Sequence, residues 1–369
     1  MKQNTIKMSC IALAISSALT ASFANAADAE NSSADKPAVL ERIEVTARKT
    51  VESLQNVPVA VTSVSEKELS ENGISVMTEV QQFSPNTTLQ SSRGTNSTLT
   101  AFIRGVGQED PLWGYEPGVG IYIDDVYIAR PQGAVLDILD VQRIEVLRGP
   151  QGTLYGKNTI GGAIKYVTKK MTGDGELSLK GTVGTYGQKD VKVAGQLPLI
   201  DDKLYVGFAF ASLNRDGFGE FKTSALDGQD TENYNKDVMA GRLSVEYTPT
   251  DDLFMRFTYD KTQDESNSKG GYRLLPSLLT DAPVPDSKYD SYTSMPTWNK
   301  VETEGWGATI EYNLNENWSV KSVTAKREGY SPTNIDFDNT SLRIFDVPAI
   351  YEDEQFSQEF QANYVGDNL

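Results

Sequence analysis

Residues 143–170 read RIEVLRGPQGTLYGKNTIGGAIKYVTKK, and the fold turns on how this stretch is understood. Ile144 to Leu147 has the composition of a buried strand and Ala163 to Thr168 that of a second. Between them lie Gly149, Gly152, Gly156, Gly161 and Gly162. Five glycines within fourteen residues imply tight turns and close backbone approach, not one regular element. A phosphate-binding loop is excluded by spacing. Gly156-Lys157 is followed by Asn158 instead of Ser or Thr, and Gln151 stands where the first glycine belongs. Taken alone, the stretch is a loop between two core strands.

Composition limits the chemistry. The chain has 369 residues, a formal net charge of −17 and no histidine. Imidazole base catalysis, Ser-His-Asp and Cys-His arrangements and His-based metal sites are therefore excluded. An acidic chain without a basic stripe also argues against nucleic acid as a partner. Residues 1–26 read as a secretory signal: Lys2 and Lys7 supply the positive region, residues 11–19 the apolar core, and Ala24-Asn25-Ala26 the cleavage site. The apolar run is too short to span a bilayer as a helix. The single cysteine, Cys10, lies inside this signal, so the exported chain carries none and needs no disulfide. Loss of the two lysines takes the charge to −19.

Residues 27–50 begin as a polar, small-residue leader with no core of its own. Ile43, Glu44, Val45, Thr46 and Ala47 then alternate apolar and polar side chains. Such a peptide either adds a strand to a partner's sheet edge or forms the first strand of the following domain. Residues 51–171 read as one compact α/β domain with short helical stretches at 65–71 and 75–83, the second capped by Ser75. Extended runs fall at 99–103, 119–123 and 144–147. Asp124-Asp125 splits IYIDDVYI into two strand halves. A turn bonded by short polar side chains fits better than a catalytic or calcium-binding carboxylate pair.

Four stretches now stand in order: IEVTA at 43–47, FIRGVG at 102–107, VGIYIDDVYIARP at 119–131, and the 143–170 segment. Together they resemble the amino-terminal part of TonB-dependent outer-membrane receptors. The resemblance implies that Ile43 to Ala47 is the box on which periplasmic TonB pulls, and that residues 51–171 are the plug. It implies that Arg104 and Arg148 hold the plug to glutamates of the inner barrel wall, and Glu359 is assigned to the same set of contacts. It also places the loops at 90–98 and 108–118 near the plug apex, which makes Arg93, Trp113 and Tyr115 candidates for ligand contact.

From Glu176 the pattern changes to period two. Leu204, Val206, Phe208 and Phe210 alternate with Tyr205, Gly207, Ala209 and Ala211, and similar runs recur near 177, 243, 306 and 356. Two-faced runs of about ten residues are the mark of a membrane β-barrel. Short connections at 198–202, 248–252 and 313–317 alternate with long ones at 214–236, 262–302 and 329–353. A soluble sandwich shares the two-faced strands but rarely carries three such long loops. Residues 172–369 hold about eight strands, whereas a plugged transporter needs about 22. The expected fold is a mixed α/β plug followed by antiparallel transmembrane β-barrel strands, the first part of a larger, here truncated, receptor.

By this resemblance the function is energy-coupled uptake of a scarce ligand across the outer membrane of a Gram-negative bacterium. The expected ligand is a ferric siderophore, with carbohydrate or corrinoid as alternatives. TonB and outer-membrane lipid are the expected partners, and no cofactor or enzymatic activity is expected. A signalling receptor carries an extra folded domain before the box, for which residues 27–42 are too short. A glycosidase using an acid pair, or a fragment without function, are the remaining readings.

Overall fold

The computed structural model describes residues 43–74, 76–92, 94–109, 114–134, 141–222, 228–278 and 280–366. The signal segment, the leader, the Ser75 cap, Arg93 and Trp113 lie outside the described residues. The chain opens with an antiparallel pair, β1 (Glu44–Val45) and β2 (Glu52–Ser53). Next come β3 (Ala60–Ser65), helix α1 (Glu66–Glu71), β4 (Thr87–Ser91), β5 (Leu99–Ile103), β6 (Val106–Gln108), β7 (Val119–Ile123) and β8 (Val126–Ile128). Strand β9 (Val141–Arg148), the single-turn helix α2 (Gly152–Tyr155) and β10 (Gly162–Thr168) complete this part.

A five-stranded sheet in the order β3-β9-β10-β7-β8 forms its centre, and β4-β5-β6 a smaller one. Strand β10 lies antiparallel to β9 and parallel to β7, so both its edges are used. Such a central strand should be apolar on both faces, and Ile144, Ile164, Ile121 and Val146 are indeed at most 2% exposed. Each contributes roughly 1.5–3 kcal/mol by leaving water. Two charged residues interrupt this core, Glu145 on β9 and Lys165 on β10, paired in register and fully buried.

Gly162 shows what the glycines between the two strands are for. A Cβ there would sit 2.2 Å from the Leu147 carbonyl oxygen, with φ at +152°, so no side chain fits where β10 meets β9. Helix α1 starts on a reciprocal cap: Ser65 Oγ accepts from the Glu68 N–H, and Glu68 Oε2 accepts from the Ser65 N–H at 2.8 Å. The second helical stretch is a 3-10 helix, Met77–Gln82, tighter than an α-helix and closed by Pro85 soon after it.

Eight strands then form one antiparallel meander. They are β11 (Glu176–Val183), β12 (Lys189–Ile200), β13 (Leu204–Arg215), β16 (Lys236–Thr250), β17 (Leu253–Asp264), β18 (Val301–Asn313), β19 (Trp318–Asp336) and β20 (Asp346–Tyr364). The short pair β14 (Gly219–Glu220) and β15 (Glu232–Asn233) lies in the connection between β13 and β16. This sheet is a wall, not a closed barrel: β11 and β20 are its two edges. Apolar residues on its outer face stay exposed, Leu179 at 72% and Phe360 at 78%, while Tyr205, Ala209 and Ala211 on the inner face are covered. Outward apolar and inward polar or small side chains are the arrangement of a strand set that meets lipid on one side.

One expected boundary is corrected. Residues 329–353 were expected to form a long connection, but β19 and β20 pair as far as Asp336 and Asp346, leaving only 337–345 as the turn. A bilayer needs about ten residues of tilted strand, and these strands have 19. A strand that runs on past the length a bilayer would need has no lipid-facing side to keep apolar, so alternation fades from the sequence while the backbone ladder continues.

Candidate functional site

The segment Ile43 to Ala47 does not hang free. Ile43 is half exposed and Glu44 exposed, but Val45 and Ala47 are fully buried among Leu54, Tyr122, Leu147, Tyr155 and Ala163. The backbone pairs with β2, and the Leu54 N–H donates to the Ile43 carbonyl at 2.9 Å. Thr46 is gripped from several sides. Its N–H and hydroxyl donate to Glu145 Oε1 at 2.8 and 3.2 Å. Lys165 Nζ donates to Thr46 Oγ1 at 2.8 Å and to its carbonyl at 3.1 Å. The Tyr155 hydroxyl donates to the carbonyls of Thr46 and Ala47 at 3.2 and 3.0 Å.

The two charges buried in the core strands are thus explained by the segment they hold. Both readings of residues 43–47 meet here: the strand packs as the first element of the domain and pairs with β2, while at Thr46 and Ala47 its backbone is also held by side chains. Side-chain contacts can be released without unravelling a sheet. Freeing Val45, Ala47 and the polar grip on Thr46 would cost on the order of 5 kcal/mol, or roughly four powers of ten in population.

Lys49 carries the same segment across to the wall. Its ammonium lies 3.7 Å from Asp125 Oδ1 and 3.4 Å from Glu359 Oε2 on β20, and 4.7 Å from the Tyr155 ring centre. Asp125 is the hub. Lys165 Nζ stands 3.1 Å from Oδ1 and Lys321 Nζ of β19 stands 2.9 Å from Oδ2; Lys321 also meets Glu311 of β18 at 2.8 Å. Burial by itself would raise the Asp125 carboxyl, but Lys165, Lys321 and Lys49 together outweigh it and hold the group well below the usual carboxylate range. Burial, followed by the nearby Asp125 and Glu145 carboxylates, raises the Tyr155 phenol, so it remains a hydrogen donor to the segment.

Asp124 and Asp125 do form the turn between β7 and β8, with φ of +47° and +72°. The turn is more than local chemistry, because each carboxylate leaves it in a different direction. Asp124 accepts from the Thr168 N–H at 2.8 Å and hydroxyl at 2.6 Å, and faces the Arg256 guanidinium of β17 at 3.5 Å. Arg256 also bonds Glu246 at 2.7 Å and the Lys169 carbonyl at 3.1 Å. Higher up, the Gln355 side-chain amide of β20 accepts from the Ala129 N–H and donates to the Tyr127 carbonyl.

Among the described residues Arg104 and Arg148 meet groups of the plug itself. Arg104 adopts φ +53°, its N–H donates to the Asn86 carbonyl at 2.7 Å, and its guanidinium lies over Gly149. Arg148 Nη1 donates to the Pro85 carbonyl at 3.4 Å, and its Nε is buried without a partner. Among the described residues neither reaches a wall carboxylate; Glu359 instead takes Lys49. Tyr115 is 65% exposed, with its carbonyl accepting from Arg130. Lys49, Asp125, Lys165 and Lys321 are not legible as one site in the sequence, because they lie in separate stretches of the chain. The available signal was a charge inside an apolar strand, Glu145 in IEVL and Lys165 in AIKYV, which demands a buried partner.

Comparison with known proteins agrees with this architecture. Residues 53–163 match the family described as TonB-dependent Receptor Plug Domain. The chain is 34% identical over 167 residues to the pesticin receptor of Yersinia enterocolitica serotype O:8, covering 44% of this chain and 24% of that protein. It is 24% identical over 311 residues to the ferrichrome outer membrane transporter/phage receptor of Escherichia coli K12, covering 80% of this chain and 38% of that one. Its fold is similar to that of the ferric yersiniabactin uptake receptor of Yersinia pestis, with a TM-score of 0.64 at 22% identity, over 84% of this chain and 46% of that one. The chain therefore spans well under two thirds of each of these relatives. Residues 53–163 therefore belong to the TonB-dependent receptor plug domain family, and in the same chain a docked amino-terminal strand precedes them and an eight-stranded antiparallel wall follows.

Proposed function

We propose that this chain serves energy-coupled uptake of a scarce ligand, most fittingly a ferric siderophore, in the outer membrane of a Gram-negative bacterium. The observation that carries the reading is the segment Ile43 to Ala47, held on the plug by side chains and tied to the wall through Lys49 and Asp125. A strand held in this way can be withdrawn and paired with the sheet edge of TonB. Pulling on it loads Thr46, then Lys165 and Glu145 in the core strands of the plug. No bond-making chemistry is involved, and we propose no enzymatic activity and no cofactor.

Support for the ligand class comes from relatives whose names refer to ferrichrome and ferric yersiniabactin. Other relatives are vitamin B12 transporters, which keeps a corrinoid as the alternative. The test uses the low cysteine content of the chain, whose single cysteine, Cys10, lies in the segment read as a cleaved signal. Glu44→Cys in the chain and a set of single cysteines in the TonB periplasmic domain should cross-link in outer-membrane vesicles. Absence of any cross-link, with the chain shown to be inserted, would sink the TonB reading.

A further inference from the structure

Plug and wall are fastened differently at the two ends of the wall strands. Short connections at 201–203, 251–252 and 314–317 mark one end of the wall, and the long connections at 216–235 and 265–300 mark the other. At the short-connection end the plug is held by charges: Lys49 to Glu359, Asp125 to Lys321 and Asp124 to Arg256. At the long-connection end it is held by neutral groups.

Asn299, just before β18, is the centre of this second fastening and is buried. Its Nδ2 donates to the Gly94 carbonyl of the plug, while its Oδ1 accepts from the Asn334 N–H of β19 at 2.7 Å. Asn334, also buried, donates its own Nδ2 to the Trp298 carbonyl at 2.8 Å and so fixes the backbone that carries Asn299. A further amide enters from the plug side: Asn96 Nδ2 donates at 2.9 Å to the carbonyl of Asn235, the residue before β16. Gly94 permits the approach. Its φ is +89°, and a Cβ there would lie 2.7 Å from Ile335 Cγ1 of β19. The loop is braced from within, since the Ser92 N–H donates to the Thr98 carbonyl at 2.8 Å and the Thr98 N–H to Thr95 Oγ1 at 3.2 Å. Thr95, Ser97 and Thr98 are at most 4% exposed.

The two fastenings fail for different reasons. A buried charge set gives way when one member is withdrawn, because its partners are left unpaired. Buried amide bonds to backbone groups carry no net charge and do not depend on Lys49 or Asp125. Lys49 stands three residues after Thr46, so traction on Ile43 to Ala47 loads the charged end first. We propose that Gly94 to Thr98, clasped by Asn299 and the Asn235 carbonyl, is a fixed point about which the plug turns. The charged end opens while the clasped end stays on the wall, so the plug is displaced within the wall instead of leaving it as one body. This rests on the importer reading above only for the source and direction of the pull.

The test reads both ends by thiol labelling of the purified full chain in detergent. Val45→Cys reports the charged end, and Ser97→Cys, a near-isosteric change, reports the clasp. Asp125→Asn should speed labelling at Val45→Cys by about tenfold or more and leave Ser97→Cys within about twofold of the parent. Asn299→Ala should do the reverse, because it takes the hydrogen bonds to Gly94 and Asn334 from the clasp and none from the charged end. If Asn299→Ala does not fold, Asn96→Ala, which removes only the bond to Asn235, should raise labelling at Ser97→Cys about fivefold. Acceleration at both reporters in Asp125→Asn, or at neither, overturns the fixed point. So does a Ser97→Cys reporter that stays protected when the clasp asparagines are replaced. These rates involve no TonB: a chain that behaves as expected but never cross-links through Glu44→Cys keeps the clasp and loses the importer.

Discussion

The Asp125 carboxylate and the Lys321 ammonium meet at 2.9 Å across the boundary between plug and wall, and the same carboxylate holds Lys165, which in turn holds Thr46. A single side chain therefore links a wall strand to the amino-terminal segment. Its removal should be felt at both ends.

Asp125→Asn leaves three ammonium groups facing a neutral amide. Removing one partner from a buried charge set costs about 3–5 kcal/mol. The expected result is release of the segment well before global unfolding, read as faster thiol labelling of a Val45→Cys reporter in the Asp125→Asn background. An unchanged labelling rate would show that the segment does not depend on this hub.

Tyr155→Phe keeps the ring against Val45 and Ala47 but removes the hydroxyl that donates to two carbonyls. Loss of these hydrogen bonds should cost about 1–3 kcal/mol. Labelling at Val45→Cys should rise by about ten- to a hundredfold while the chain's urea midpoint moves little. A large shift of the midpoint with no change in labelling would contradict a role in docking.

Gly162→Ala places a Cβ 2.2 Å from the Leu147 oxygen in the centre of the five-stranded sheet. Nothing can move aside, because both neighbours of β10 are paired. A destabilisation of about 3 kcal/mol or more is expected, seen as loss of a protease-resistant plug. Gly152→Ala, where nothing lies within 4 Å, is the matched control and should be tolerated.

The docked segment should withstand mild acid. The folded Asp125 carboxyl lies below its ordinary value of 3.8, so its contribution is fully present above that value and is lost as pH falls through the depressed folded value. Labelling of Val45→Cys should be flat from neutral pH down to about 5 and rise only below about 4. A rise centred near pH 6 would mean that another group controls release.

Arg256→Met removes a guanidinium shared by Asp124, Glu246, Thr168 and the Lys169 carbonyl, a set distinct from the Asp125 and Glu359 carboxylates that hold Lys49. Asp124 and Glu246 would be left without their cation. The plug should then become extractable from the wall at lower urea, after a specific cut between residues 168 and 176, by about 3–5 kcal/mol. Labelling at Val45→Cys should be unaffected, since Thr46 is held through Lys165 and Glu145.

Local pattern determined much of this protein by itself. Period-two alternation from Glu176 onward, with short and long connections in turn, specified eight antiparallel strands, because a strand between lipid and a polar interior must alternate. Glycine spacing between Gly149 and Gly162 marked the close approach of two core strands, and Asp124-Asp125 marked a turn. Only the tertiary structure decided what the charges do. Lys49, Asp125, Lys165 and Lys321 are spread over more than 270 residues of sequence and converge within ion-pair distance. Hydrogen bonds and ion pairs depend on separation in space, and no periodicity of the chain encodes which distant strands are brought together. For the same reason Arg104 and Arg148, which stand in familiar motifs, are found against Gly149 and Pro85, while Glu359 takes Lys49.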